Sequence, residues 1–203
     1  DGKTRTITIT LGDQEASRGT LEVHFIDVGQ GDAILVKTPG GKVMLVDAGD
    51  SDAGPSVVQY LRGQGVEAID VFVATHPHAD HIGGALDVLN AFPVGEVYDS
   101  GYPHTTKTYE NFLLAIDQKG IPYRLAHAGN HIDLGEDVHI DILHPTEILA
   151  DANNSSIVLK ISYGEEAFLL TGDAENEAEA LMLDRGASVL DSTVLKVGHH
   201  GSA

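Results

Sequence analysis

A histidine-rich motif directly beyond an apolar run constrains this chain more than any other feature. The motif combines His76, His78, Asp80 and His81, and the preceding run Ile69–Ala74 suits a buried strand. In a chain with 11 histidines among 203 residues, such a pattern should arise by chance about 0.003 times. Because the residues after the motif suit a helix, it lies where sheet proteins commonly place functional sites.

The four side chains of this motif favour a metal centre with two positions. Alternate residues of an extended segment point the same way, so we expect His76 and His78 to bind one ion. The turn into the helix directs Asp80 and His81 elsewhere, toward a second ion. The chain has no cysteine, which excludes thiolate ligands and a disulfide framework. A loop of solvated histidines is the alternative interpretation.

Two later segments end a predicted strand in residues of the same kind. Asp173 follows an apolar strand through Gly172, and His199 and His200 follow another through Gly198. Taken alone, Asp173 would rather be the N-cap of the following helix. Together with the first motif, a carboxylate that bridges two ions and one more imidazole would complete two sites about 3.5–4 Å apart.

The two adjacent histidines have different expected roles. His199 is the first residue beyond Gly198, so we assign it to the second ion with Asp80 and His81. Successive residues of an extended chain face opposite ways, which leaves His200 either to support a metal ligand from behind or to transfer a proton to the leaving oxygen. We take Asp80 and His200 as the catalytic groups.

Alternating and apolar runs predict an α/β protein with two sheets. We expect strands at residues 5–11, 22–27, 33–37, 43–46, 69–74, 138–143, 157–162, 167–171 and 193–197. We expect helices at residues 56–64, 82–91, 109–119 and 174–185. The first four strands suggest an antiparallel sheet, after which helices and strands alternate. Without an internal repeat or linker, the simplest architecture is a single domain over residues 1–203 with helices on the outer faces of the sheets.

Composition narrows the classes of function. The chain has 12 basic and 31 acidic residues and a net charge of −19 with neutral histidines. This charge argues against a surface that grips phosphate backbones non-specifically, although nucleic acid could still bind locally. No apolar stretch approaches the ~18 residues of a membrane span. The chain starts at Asp1 rather than Met, so we expect it to begin after processing or at a cut boundary.

The sequence resembles the metallo-β-lactamase fold superfamily over roughly residues 21–202. Within it, the similarity points to the branch that contains the hydrolase domain of the competence protein ComEC and choline-phosphate esterases of bacterial surfaces. The motif of residues 76–81 is common to the superfamily, whereas the segments most specific to the branch are residues 25–33, 153–159, 171–175 and 195–202. The resemblance implies an αββα four-layer sandwich. It also implies further strands and a helix beyond the last histidine loop, so we expect the C-terminal part to be missing.

The resemblance implies roles for residues outside these motifs. Asp47 resembles the family's buried aspartate that orients the metal loop. Many members use a third histidine on the first ion, and this chain has Asn153 or Asn154 at that place, which predicts a weaker first site. Without the resemblance, Asp47 and Asn153 read as turn residues. His104, in a loop with Gly, Tyr and Pro, is a candidate to overhang the site and touch substrate, although a plain loop residue is the favoured interpretation.

The ligand set predicts a hydrolase. Two divalent ions, Zn²⁺ or Mn²⁺ foremost, would make hydroxide available near neutral pH and hold the phosphoryl or carbonyl oxygen. The resemblance favours phosphodiester hydrolysis over β-lactam opening, with DNA as the first substrate to test and choline-phosphate esters as the second. It implies an extracytoplasmic or cell-surface location, in or beside a membrane protein of DNA uptake. A non-catalytic metal-binding scaffold is the alternative from another class, and the oligomeric state stays open.

Overall fold

Two β-sheets form the centre of the computed structural model, which describes residues 5–10, 19–135 and 138–202. The first sheet runs in chain order and consists of β1 (Arg5–Thr10), β2 (Thr20–Phe25), β3 (Ile34–Lys37), β4 (Val43–Val46), β5 (Ile69–Ala74), β6 (Val94–Asp99) and β7 (Tyr123–Leu125). The second sheet consists of β8 (His131–Asp133), β9 (His139–His144), β10 (Val158–Tyr163), β11 (Glu166–Leu170) and β12 (Val194–Lys196). Its strands lie in the order β12-β11-β10-β9-β8.

The α-helices of the described residues cover the outer faces of both sheets. They are α1 (Gly54–Gly63), α2 (Ala79–Ile82), α3 (Ala85–Ala91), α4 (Lys107–Lys119) and α5 (Asn176–Asp184). Alternation along the strands divides the core accordingly. Leu45 and Phe72 pack against the helices of the first sheet, whereas their neighbours Met44 and Val71 face the second sheet. Because Val158 on the far side of the second sheet packs against α5, the layers run helix, sheet, sheet, helix, and the expected αββα sandwich is confirmed.

Parallel strand pairs bring the ends of particular strands together. β1 to β4 are antiparallel, as expected, but β4 and β5 run parallel, and so do β11 and β12. Parallel neighbours end at the same edge of a sheet. Asp47 beyond β4 therefore lies beside the histidine motif beyond β5, and Asp173 beyond β11 lies beside the histidine pair beyond β12.

The predicted helix at 82–91 is wrong in its extent. The structure has α2 ending at Ile82 and α3 beginning at Ala85, with Gly83 and Gly84 between them. A Cβ atom on Gly84 would lie 2.3 Å from the carbonyl oxygen of Ala48, so the backbones approach too closely there for a side chain. This contact between loops, which no local pattern reveals, separates α3 from the short α2, which itself carries Asp80 and His81 of the histidine motif.

Three strands were not predicted, and most other boundaries differ by one or two residues. β7 and β8 have three residues each, too few for a periodic pattern. β6 contains Gly95, where a Cβ atom would lie 2.5 Å from the carbonyl oxygen of Asp70 on β5. α4 begins at Lys107 rather than at residue 109 because the Thr106 side chain accepts a hydrogen bond from a backbone N–H of the first turn. Of the first predicted strand, Leu11 lies outside the described residues.

Phe112 of α4 tests the core between the first sheet and its helices. The side chain is fully buried, and its ring centroid lies 5.9 Å from that of Phe72. We expect Phe112→Ala to lower the free energy of unfolding by about 3–5 kcal/mol, because it leaves a cavity in a packed layer. Leu114→Ala on the same helix, at a side chain that is 45% exposed, should change it by less than about 1 kcal/mol. Equal losses in urea unfolding would contradict this assignment of the layer.

Candidate metal centre

Asp47 holds the histidine motif through three contacts. Its carboxylate is fully buried, and its backbone has a φ of 57°. Oδ1 accepts a hydrogen bond from Thr75 N at 2.8 Å, and Oδ2 accepts one from Thr75 Oγ1 at 2.6 Å. Oδ2 also lies 2.7 Å from His81 Nδ1. Since a carboxylate only accepts, His81 donates through Nδ1, and its Nε2 is the nitrogen left for a cation.

Asp173 lies at the centre of the cluster. Gly172, with a φ of 52°, turns the chain just beyond β11 so that the carboxylate points at the histidine motif. Oδ2 of Asp173 faces three imidazole nitrogens, which are His81 Nε2 at 3.2 Å, His200 Nε2 at 3.3 Å and His76 Nε2 at 3.9 Å. A single carboxylate oxygen is thus shared by side chains from both sheets.

The helix-cap interpretation of Asp173 does not hold. α5 begins at Asn176, and the residue at its N-cap is Glu175. Asp173 lies two residues earlier and is buried among the imidazoles. The carboxylate is therefore available to the cluster.

The motif residues separate into two groups around Asp173. Nε2 of His76 lies 3.1 Å from Nδ1 of His78, so these two imidazoles converge. Ligand atoms of the other group all lie within 4.8 Å of one another, and this group comprises Asp80, His81, Asp173 and His200. The first group therefore holds His76 and His78, and the second brings Asp80 and His81 together with Asp173 and His200.

The structure places His199 and His200 the opposite way round from the sequence expectation. Nε2 of His200 lies 3.5 Å from Asp80 Oδ2, within the second group. His199 instead pairs through Nδ1 with Glu175 Oε1 at 2.7 Å. The expectation assumed extended chain, whereas His199 and His200 have φ values of 42° and 53°. Two successive left-handed residues make a tight turn, and the alternation rule does not apply to it.

Asn153 and His104 lie beside the cluster. Asn153 Nδ2 donates to Glu175 Oε1 at 3.0 Å, and thereby shares this carboxylate with His199. The ring centroid of His104 lies 5.8 Å from that of His78. His104 is half-buried, and its Nδ1 lies 2.9 Å from Thr106 Oγ1. The loop before α4 therefore brings His104 next to the first group of imidazoles.

Two charged residues of the site were missed by the sequence analysis. Lys196, the last residue of β12, lies with its Nζ 2.5 Å from Oδ2 of Asp32 and 3.7 Å from Oδ1 of Asp173. Asp32 belongs to the loop between β2 and β3. Both residues fall within the branch-specific segments 25–33 and 195–202. This was the feature of the sequence that could have indicated them as residues of the site. A lysine within a strand carries no sign of a site until its neighbours are known.

The charges of the cluster depend on one another. Burial lowers the pKa of His76 well below its ordinary value, and the nearby His81 adds to this effect. Burial also opposes the charging of His81, but Asp47 and Asp173 outweigh it and raise its pKa to about 10. Burial alone would raise the pKa of Asp173, yet its pairing with His81 brings it below the usual value. The cluster thus attracts positive charge, whether a proton or a metal ion.

Buried polar atoms of the cluster fit a cation. Among the described residues, the buried side-chain atoms without a hydrogen-bond partner are His81 Nε2, Asp173 Oδ1, His144 Nδ1 and Asn153 Oδ1. Of these, His81 Nε2 faces Asp173 Oδ2 inside the cluster, whereas Asp173 Oδ1 lies on the side of Lys196. A buried imidazole nitrogen without a hydrogen bond is costly, and a divalent ion that takes the place of the proton on His81 Nε2 would satisfy it. Imidazole and carboxylate donors without sulfur suit Zn²⁺ or Mn²⁺.

Comparison with known proteins agrees with this fold and cluster. The chain belongs to the metallo-beta-lactamase superfamily, whose family model matches residues 26–203. This membership, together with the His and Asp cluster, supports a metal-dependent hydrolase. Among the described residues, no helix is both long enough and apolar enough to cross a membrane.

Curated relatives of the chain include proteins named for competence and recombination. The chain is 32% identical to Recombination protein 2 of Haemophilus influenzae over 195 residues, which are 93% of this chain and 22% of that protein. It is 31% identical to ComE operon protein 3 of Bacillus subtilis, with 89% of this chain and 25% of that protein covered. For competence protein ComA of Neisseria gonorrhoeae the identity is 31%, with 87% and 23% covered. The chain therefore spans about a quarter of the length of these relatives.

Solved structures share the fold at low identity. CmlA, a diiron beta-hydroxylase from Streptomyces venezuelae, matches with a TM-score of 0.57 and 17% identity, over 91% of this chain and 37% of that one. A metallo-beta-lactamase from Pontibacter korlensis matches with a TM-score of 0.53 and 14% identity, over 94% and 89% of the two chains. These similarities concern the fold alone.

Gly31 tests the packing of the β2–β3 loop on the cluster. Gly31 has a φ of 109°, and a Cβ atom there would lie 1.9 Å from the carbonyl oxygen of Asp80. We expect Gly31→Ala to lower the free energy of unfolding by about 2–4 kcal/mol, through backbone strain and overpacking. Gly29 has a φ of 79°, and a Cβ atom there would meet no other atom within 4 Å, so Gly29→Ala should cost only the strain, about 1 kcal/mol. Similar losses for the two variants in urea unfolding would contradict the close approach to Asp80.

Proposed function

We propose that this chain is a phosphodiesterase that uses two divalent metal ions and acts on DNA. The observation that carries the proposal is the placement of Asp173, one of whose carboxylate oxygens lies within 4 Å of imidazole nitrogens of His76, His81 and His200. A carboxylate shared between neighbouring ligand groups is the usual bridge of a dinuclear hydrolytic site. A structural ion closes its shell with four ligands and needs no bridge of this kind.

The side chains divide between two ions. His76, His78 and Asp173 would hold the first, and Asp80, His81, Asp173 and His200 would hold the second. His200 replaces His199 in this role because its Nε2 lies among the second group. When bound, the ions supply Lewis-acid activation of a water molecule and of the phosphoryl group.

Other side chains orient these ligands and handle protons. Asp47 keeps the proton of His81 on Nδ1, so that Nε2 stays directed into the site. His199, with Nδ1 held by Glu175, is the group for proton transfer to the leaving oxygen. His104, beside His78, is placed to contact the substrate. With only three ligands from the chain, the first ion is the more weakly held of the two.

The relatives support a DNA substrate. Three of them are named for competence or recombination, and the matched part covers most of this chain. We place the domain outside the cytoplasm, within or beside a membrane protein of DNA uptake, as the resemblance implies. The net charge of −19 means that DNA is held at the site rather than along the surface. Choline-phosphate esters share the phosphodiester group and are the second substrate to compare.

Asp173→Ala tests the bridge. We expect this variant to lose at least one ion and more than about 100-fold in hydrolysis of bis(4-nitrophenyl) phosphate and single-stranded DNA, because both ions depend on the carboxylate. Elemental analysis after Mn²⁺ or Zn²⁺ loading gives the ion count. Asp117→Ala, at an exposed position on α4, is the control that should keep both ions and full turnover.

The ion count and the phosphodiester hydrolysis of the parent protein distinguish between the classes of function. Two bound ions with cleavage of DNA would support the proposal. A preference for a choline-phosphate ester would mean that this ester, and not DNA, is the substrate. Two bound ions without hydrolysis of any phosphodiester would favour a non-catalytic scaffold. Parent turnover by Asp173→Ala would disprove the bridging role.

His200→Ala and His199→Ala separate the two adjacent imidazoles. We expect His200→Ala to lower the affinity for the second ion by about 10-fold or more, because it removes a ligand. His199→Ala should keep both ions and lose turnover, by about 10²-fold or more if it transfers a proton. Metal content and rate are measured on the same samples. Loss of metal in His199→Ala with retention in His200→Ala would reverse the assignment.

A further inference from the structure

We propose that the ion pair between Asp32 and Lys196 positions the Asp173 carboxylate and so joins the two halves of the metal centre. This inference rests on the metal centre proposed above. Four of the six proposed ligands follow β5 of the first sheet, namely His76, His78, Asp80 and His81. The other two, Asp173 and His200, follow β11 and β12 of the second sheet.

Lys196 is fully engaged by the protein. Its Nζ lies 2.5 Å from Asp32 Oδ2 and donates to the carbonyl oxygen of Gly172 at 2.6 Å. On the remaining side it lies 3.7 Å from Asp173 Oδ1. The ammonium therefore attracts one oxygen of Asp173, which leaves Oδ2 facing the imidazoles.

Asp32 ties this lysine to the first sheet. Its backbone N–H donates to the carbonyl oxygen of Asp80 at 3.3 Å, and its own carbonyl oxygen accepts from Gly49 N at 2.8 Å. Gly49 lies two residues beyond the orienting Asp47. The loop that carries Asp32 is therefore bonded to the backbone of a proposed ligand and of the segment that holds the histidine motif.

Burial distinguishes this pair from an ordinary surface ion pair and from a substrate-binding cation. The side chains of Asp32 and Lys196 are each 11% exposed. An exposed lysine that binds phosphate would keep its ammonium free, whereas here two short contacts occupy it. Breaking such a pair leaves a buried charge uncompensated. Without Lys196, the Asp32 carboxylate would repel Asp173, and the bridging oxygen would lose its fixed direction.

Metal affinity in the absence of substrate tests this role. We expect Lys196→Met and Asp32→Asn each to weaken Mn²⁺ or Zn²⁺ binding by about 10-fold to 100-fold, the usual effect of removing a group that orients a ligand. The double variant should bind metal no more weakly than the worse single variant, because the two residues act as one unit. Lys196→Arg, which keeps the charge and the donors, should retain most of the metal affinity of the parent protein.

Lys42 provides a control pair that is more exposed to solvent. Its Nζ lies 2.7 Å from Asp70 Oδ1, so Lys42→Met also removes a lysine–aspartate pair, but one remote from the cluster. This variant should keep the parent metal affinity. Thermal unfolding of each metal-free variant reports whether the fold itself has changed.

Several results would overturn the positioning role. Parent metal affinity in Lys196→Met would do so, as would additive losses in the double variant. Unchanged metal affinity with a lowered unfolding temperature would show a purely structural pair, and unchanged metal affinity with a raised KM would show a substrate cation. Because no substrate is present in the metal titration, a parent protein that binds two ions without hydrolysing phosphodiesters would contradict the proposed function and leave this inference standing.

Discussion

A buried carboxylate must be fully paired, and in this protein Asp47 meets that requirement with the groups that shape the site. It has no exposure to solvent, and its oxygens accept from the backbone and side chain of Thr75 and from His81 Nδ1. These bonds orient His81 toward Asp173 and hold Thr75, the residue directly before the histidine motif. The parallel pairing of β4 with β5 makes them possible, since it brings Asp47 and Thr75 to one edge of the sheet.

The site also depends on contact between the two sheets. Asp173 comes from the second sheet, and the imidazoles of the motif come from the first. Two contacts join the sheets here. One is the ion pair of Asp32 with Lys196, and the other is the hydrogen bond that Ile157 N donates to the carbonyl oxygen of Thr75 at 2.9 Å. Fixed alignment of this kind matters because metal ligands must be held near their coordinating geometry before the ion binds. The stability of the sandwich and the alignment of the proposed metal ligands are therefore linked.

Strong acidity and action on DNA are compatible when the substrate is held locally. The net charge of −19 opposes DNA binding over the whole surface, while two divalent ions would concentrate positive charge at one point. His104 next to His78 would add a contact on the substrate side. On the proposed function, location rather than general affinity would bring DNA to the site.

Periodicity in the sequence predicted two sheets with outer helices and most of the strands and helices, and the resemblance to the superfamily added the αββα class. The ends of apolar strands indicated that the motif residues lie near Asp173. The sequence could not divide the helix at Gly83 and Gly84, where the cause is a backbone of another loop. Only the tertiary structure decided which of His199 and His200 faces Asp173, since two left-handed residues replace the extended chain assumed from the pattern. It alone brought Lys196 to Asp32, because that contact joins two sheets whose alignment depends on packing across the whole core.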